Sequence, residues 1–187
     1  MTNRIYRAIV ATCFLTAPII AEGQKLEKPK IDKITGDTTW STSNEKLYSK
    51  MGFAGGDVLY TAVEKIRSKY VLSLTVKSSN GLSFDSITKG DKAILKLTDG
   101  TLVTLFAFTD GVSQDKYPIS GTLGSKLSTL FMFYELNLND IATLQKAALS
   151  IVRIESSKGN LDFEIKGKNA DVISNSIKLI TGSKNTK

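Results

Sequence analysis

The sequence predicts an α+β domain built on a predominantly antiparallel sheet of about eight strands, with one short helix and a C-terminal helix packed on the sheet. Three observations lead there. Apolar and polar residues alternate in short runs separated by turn residues, most clearly at Tyr70, Leu72, Leu74 and Val76. Two strand-forming runs within 92–108 flank Asp99-Gly100, a pair suited to reversing a hairpin because it tolerates positive φ. Helical spacing is concentrated in the second half, at Ile141 and Leu144 and again at Ala170, Ile173, Ile177 and Ile180.

Residues 1–21 have the layout of a secretory signal peptide. Arg4 and Arg7 precede an apolar stretch at 8–20, too short to span a bilayer comfortably, and Ala21 precedes a polar run. Cys13 follows Val10-Ala11-Thr12, a loose lipobox, so lipoprotein processing there stands as the alternative. Cleavage at Ala21 predicts an exported protein, periplasmic or secreted, with no transmembrane segment. The 166 residues that remain are enough for one domain with its own core. Cys13 is the one cysteine of the chain, so the processed protein is held by packing without a disulfide.

Removing the leader takes two arginines and no acid, which leaves 23 basic against 18 acidic side chains, a net +5. The excess is spread as single lysines, the pattern of a soluble surface. Arginine is reduced to Arg67 and Arg153, which argues against bidentate phosphate readout and so against nucleic acid as a partner.

Residues 22–37 are polar and carry Pro29, and they read as an extended tail with 31–34 as a first edge contact. A single domain then occupies 38–187. Strand formers surround Trp40, whose ring is either a core aromatic or a stacking platform for a sugar. The glycine-rich 51–57 matches neither a phosphate loop nor a dinucleotide fingerprint and reads as a flexible connection.

Residues 58–67 are ambiguous, since Leu59, Val63 and Ile66 also fit a helical period. A strand is expected, because a neighbouring strand is the simplest partner for the alternating run that follows. A turn at 78–81 leads to a short strand at 82–87. In the central hairpin a two-residue loop pairs Leu97 with Leu102 and Ala93 with Phe106, placing Ala93, Leu95, Leu97, Leu102 and Phe106 on one apolar face. Residues 109–126 form the longest run of turn residues and the expected functional loop, with Tyr117 as its aromatic.

Residues 127–136 return to strand with large apolar groups on both faces, so cover on both sides is expected. Asn137 or Asn139 caps a short helix that turns Ile141, Leu144 and Ala148 inward, with Asp140 at its positive end. A second hairpin joins 150–156 to 160–165, with Val152 and Ile154 on one face of its first arm and Leu161, Phe163 and Ile165 on one face of its second. The closing helix at 169–180 ends at Gly182.

The chain contains no histidine. Catalysis by Ser-His-Asp or Cys-His groupings is thereby excluded, as are zinc, copper and haem sites ligated by imidazole, or by thiolate once the leader is gone. Ser43-Asn44-Glu45-Lys46 matches S-x-x-K, yet the K-[ST]-G strand that penicillin-recognising serine enzymes need is absent. Asp162 and Glu164 project from one strand face, as an acid and base pair could, but they alternate with apolar residues in the pattern of a solvated face. Asp110 and Asp115 match no EF-hand spacing. No cofactor and no metal is expected.

The segment GDKAILKLTDGTLVTL, the tetrapeptide Tyr117-Pro118-Ile119-Ser120, and IVRIESSKGNLDFEIK with the closing helix resemble small exported proteins of Bacteroidota-type bacteria. Those proteins carry a GDKLILKLxDG hairpin, a YxIS entry and an IRIETSxGxxDFEI hairpin. The resemblance covers roughly the last 100 residues, departs from the pattern at Gly121-Thr122-Leu123-Gly124, and implies topology without any functional residue. The expectation is an exported, non-enzymatic interaction or envelope-associated domain, whose partner is a protein or envelope component. The alternatives are a glycan- or lipid-binding module using Trp40 and Tyr117, and a histidine-free carboxylate hydrolase.

Overall fold

Two antiparallel sheets joined at one corner enclose the apolar side chains. The structure is a computed structural model and describes residues 24–52, 55–79, 87–116, 127–156 and 159–182. The larger sheet contains β1 (Lys30–Ile31), β2 (Thr38–Ser41), β3 (Glu45–Gly52), β4 (Gly55–Ile66), β5 (Lys69–Ser78), β8 (Val112–Lys116) and β9 (Leu127–Leu136). Its order is β1-β2-β4-β5-β9-β8, with β3 lying beside β2 on the same flank of β4. The smaller sheet runs β11-β10-β6-β7, from β6 (Lys92–Leu97), β7 (Leu102–Phe106), β10 (Leu149–Ser156) and β11 (Gly159–Glu164). Two α-helices complete the described residues, α1 (Leu138–Leu144) and α2 (Val172–Gly182).

The mixed fold and antiparallel sheet agree with the sequence reading, but eleven strands replace about eight. The additions are short or polar strands that backbone pairing creates without hydrophobic alternation. Residues 24–31 run extended along β2, where Leu26 bridges Thr42 and β1 pairs with β2. At Thr42 the chain steps from β2 to β3. Its N–H donates to Val63 O at 3.0 Å and its Oγ1 accepts from Val63 N at 2.9 Å, so both polar groups of this buried threonine are satisfied.

Within the stretch 51–57, expected as a flexible connection, residues 51–52 and 55–57 are strand, because β3 runs to Gly52 and pairs with β4 from Gly55 onward. Gly56 lies so close to its neighbour strand that a Cβ would fall 2.4 Å from Lys50 O. Residues 58–66 are strand, as expected, and continue through Arg67-Ser68 into β5. The bidentate pair of Arg67 with Asp37, 2.9 and 2.5 Å long, anchors this turn, at whose first position Arg67 takes φ 55°.

The central hairpin forms at the expected place in a different register. Gly100 N donates to Leu97 O and Leu97 N to Thr101 O, and Gly100 alone in the turn takes positive φ, at 89°. That is a three-residue loop, a turn closed by a left-handed glycine, rather than a two-residue loop with Asp99 also at positive φ. Asp99 Oδ1 accepts from Thr101 N at 2.9 Å, which holds the turn. The one-residue shift pairs Leu97 with Thr101 and Ala93 with Leu105, so Val103 and Leu105 face inward while Leu102 and Phe106 face solvent. It also removes the Thr104 hydroxyl from the core side, which favours it.

Three smaller expectations change as well. Residues 112–116, placed in a long loop by their composition, form β8 against β9. Strand β9 is closed on one face, with Leu130, Met132, Tyr134 and Leu136 buried, while Phe131 and Phe133 opposite are only half-buried. Helix α1 ends before Ala148, whose carbonyl instead accepts from Thr98 N at 2.8 Å. Its cap is Asn137, which accepts from the N–H groups of Asn139 and Asp140. The leader at 1–21, residues 82–86 of the strand expected at 82–87, and residues 117–126 lie outside the described residues, while Ile87 is buried and belongs to no strand.

Inward side chains of both sheets form one core with Ile173, Ile177 and Ile180 of α2, as the helical spacing required. Ala107 bridges Tyr134 and Phe108 N donates to Phe133 O at 3.2 Å, so the chain leaving β7 joins the smaller sheet to β9. Elsewhere the sheets part, and their separated margins are where open surface appears.

Candidate cleft at the margin of the smaller sheet

The outer margin of β3 and the free edge of β11 face each other across an open cleft of about 570 Å³. Alternation along β11 sends Phe163 inward and the carboxylates of Asp162 and Glu164 outward, as the sequence implied. Opposite them, β3 presents Tyr48, Ser49 and Lys50, and beyond β11 come Lys166 and Asn169. Two contacts fix the width. The Tyr48 ring meets Phe163 edge-on with centroids 5.3 Å apart, and Asn169 Nδ2 donates to Leu47 O at 3.1 Å. Asn169 closes a 3₁₀ turn (Gly167–Asn169), which carries its amide across the gap.

Electrostatically the cleft is balanced. Arg153 grips Asp162 through two hydrogen bonds of 2.7 and 2.6 Å and holds its carboxyl below the usual carboxylate range. Lys166 does the same for Glu164 at 2.9 Å. Both acids are therefore ionised and paired with cations. A carboxylate general acid is made the opposite way, by burial that raises its pKa.

Asp162 also borders a second hollow of about 300 Å³ on the outer face of the smaller sheet, lined by Ile94, Lys96, Leu102, Ile151 and Arg153. Cross-strand register explains it: Asp162, Arg153, Ile94 and Thr104 form one row, and Glu164, Ile151, Lys96 and Leu102 the next. The polar cleft and the apolar hollow thus meet over β11, with Asp162 common to both.

The residues singled out from sequence lie elsewhere. Trp40 is half-buried in β2, opposite Lys65, and packs against the core. Tyr117 lies outside the described residues. Ser43 does not open a helix towards Lys46; its Oγ donates to Glu45 at 2.6 Å and accepts from Lys25 N at 2.9 Å. Asp110 accepts from Lys89 N and Asp115 from Ser128 Oγ. No cluster of three or more metal-ligating side chains occurs among the described residues. Tyr48, Lys50 and Asn169 were missed because nothing in their local pattern separates them from an ordinary strand and turn.

Away from the cleft, burial shifts two groups. Burial raises the Glu64 carboxyl on β4, and burial also raises the Tyr134 phenol, whose hydroxyl has no hydrogen-bond partner among the described residues. None of the described helices is long and apolar enough to cross a membrane. Comparison of the chain with protein-family models, with curated proteins and with solved structures found no match.

Proposed function

We propose that the chain is an exported, non-enzymatic domain, kin to the small exported proteins it resembles in sequence, that binds an envelope component through the surface around β11. The observation that carries this reading is the continuity of a polar cleft with an apolar hollow through Asp162. Such a surface offers hydrogen-bonding groups and apolar contact to one extended partner. The leader layout at 1–21 supports export, and a composition without histidine supports binding over covalent chemistry. Pairing of both cleft carboxylates with cations supports it further.

A photo-crosslinker placed at Ser49 or Lys166, in cells expressing the full chain, is expected to capture the same envelope species from both positions. The same probe at the exposed Lys178 of α2 should not capture it. Equal capture at all three positions, or none at any, refutes the assignment. A glycan reading has a specific foothold in Tyr48, the aromatic of the cleft. Thermal stabilisation by oligosaccharides that is abolished by Tyr48→Ala would favour it over a protein partner.

A further inference from the structure

Taken in spatial order, strands of the two sheets form a ring with one open seam. β3, β4, β5 and β9 are bonded in that sequence, and so are β7, β6, β10 and β11. The Ala107–Tyr134 bridge and the bond from Phe108 N to Phe133 O join β9 to β7. Of the neighbours in this ring, only β11 and β3 share no backbone bond among the described residues, and the cleft of about 570 Å³ lies between them.

Both walls of the seam are strand edges. Ile165 N donates to Ser150 O, so antiparallel alternation turns Leu161 and Phe163 towards β10 and leaves the N–H and C=O groups of Asp162 and Glu164 pointing off the edge. On the other wall, Ser79 N donates to Gly56 O and Gly56 N to Ser79 Oγ, both at 2.9 Å. Gly56 therefore bonds on the β5 side, and the alternate residues Asp57 and Leu59 bond to Lys50 and Tyr48 of β3. The main chain of Ser49 and Met51 is left pointing away from β4. Leu47 shows where that direction leads, because its carbonyl accepts from Asn169 Nδ2 beyond β11.

Alternate residues along a strand edge repeat about every 7 Å, and another extended polypeptide has the same repeat of donors and acceptors. A saccharide chain lacks it. Charge normally guards a free edge, but here Arg153 holds Asp162 and Lys166 holds Glu164, so neither carboxylate repels an incoming chain. The floor of the seam is aromatic, where Tyr48 meets Phe163.

We propose that the envelope component is a protein, and that it binds by laying an extended segment of its chain between β11 and β3, which closes the ring. Main-chain bonds to Asp162 and Glu164 on one side and to Ser49 on the other supply the affinity, while alternate apolar side chains of the segment rest on Tyr48 and Phe163. Asn169 marks one end of the segment, since its bond to Leu47 O already spans the gap there. The inference rests on the cleft reading above and adds to it the class of partner and the manner of binding.

The test places the photo-crosslinker at Ser49 in cells expressing the full chain and identifies the adduct by mass spectrometry. A peptide adduct is expected. Proline removes an N–H that β10 does not use at position 164, so Glu164→Pro should lower the yield about tenfold relative to Glu164→Ala, with the two thermal midpoints close together. Should Glu164→Pro not fold, Ser49→Pro is compared with Ser49→Ala, with the crosslinker moved to Lys166. A saccharide or lipid adduct, or equal yields from the proline and alanine variants, overturns strand addition and leaves the cleft assignment standing. Absence of any adduct removes both.

Discussion

The β6–β7 and β10–β11 hairpins are built alike on the inside and oppositely on the outside. Each has a positive-φ glycine at its reversal, Gly100 at 89° and Gly159 at 122°, and each sends alternate apolar residues into the same core. Outward, β10 and β11 carry Arg153, Glu155, Asp162 and Glu164, whereas β7 carries Leu102, Thr104 and Phe106. Packing dictates the inward set in both, so that set reports only the fold. What each strand is built to meet beyond its own sheet is written on the outward side, and there the two hairpins part company.

Removing a contact that both share should give the largest effect. Leu95 is fully buried and pairs with Val103 on one side and Val152 on the other, so Leu95→Ala opens a cavity under both hairpins. A loss of about 3 kcal/mol in urea denaturation is expected. A loss below about 1 kcal/mol would mean that the hairpins do not share one core.

The next test concerns β7 alone. Val103→Ala should cost about 2 kcal/mol, while Leu102→Ala, one residue earlier and larger, should cost no more than about 0.5 kcal/mol. The two-residue register would reverse that order, because it buries Leu102 and exposes Val103.

That reversal marks the limit of what was legible beforehand. Alternation at Tyr70–Val76 and helical spacing at Ile173, Ile177 and Ile180 both led to the right element and the right buried face. The reversal at Asp99-Gly100 was also readable, but the loop length was not. Asp-Gly serves either kind of turn, and Leu102 and Val103 are both apolar, so hydrophobicity could not choose between registers. Strands β3 and β8 were invisible for a related reason: runs such as EKLYSKMG and VSQDK become strands because a neighbour offers backbone groups. Of the cleft, Asp162 and Glu164 were visible as a pair on one face. Tyr48 and Asn169 reach them through contacts across more than 100 residues of sequence, which no local pattern records.

The two reversals can be compared directly. A Cβ at Gly100 or at Gly159 would meet nothing within 4 Å, so substitution there tests backbone conformation without packing. Gly100→Ala is expected to cost about 1 kcal/mol, since φ 89° is near the left-handed region. Gly159→Ala should cost more, about 2 kcal/mol, because φ 122° is farther from anything an L-residue adopts readily. Equal costs would indicate that one hairpin relaxes its turn on substitution.

The smallest effect should come from the ion pair on the β10–β11 face. Arg153 and Asp162 are roughly half exposed, so water and salt weaken their attraction despite the bidentate geometry. The hydrogen bonds from Arg153 hold the Asp162 carboxyl below its ordinary value, so between the folded and unfolded pKa values the native state binds fewer protons. The pair's contribution is therefore present above the ordinary carboxylate range and is lost as pH falls through the folded value. Asp162→Asn should lower the thermal midpoint slightly at pH 7, by less at about 1 M salt, and not at all once pH has fallen below the depressed folded value. Because β7 carries no titratable group, Leu102→Ala should show no such dependence. A pH-independent deficit in Asp162→Asn would show that Asp162 contributes by packing and hydrogen bonding alone, and the electrostatic half of the contrast between the two hairpins would then fail.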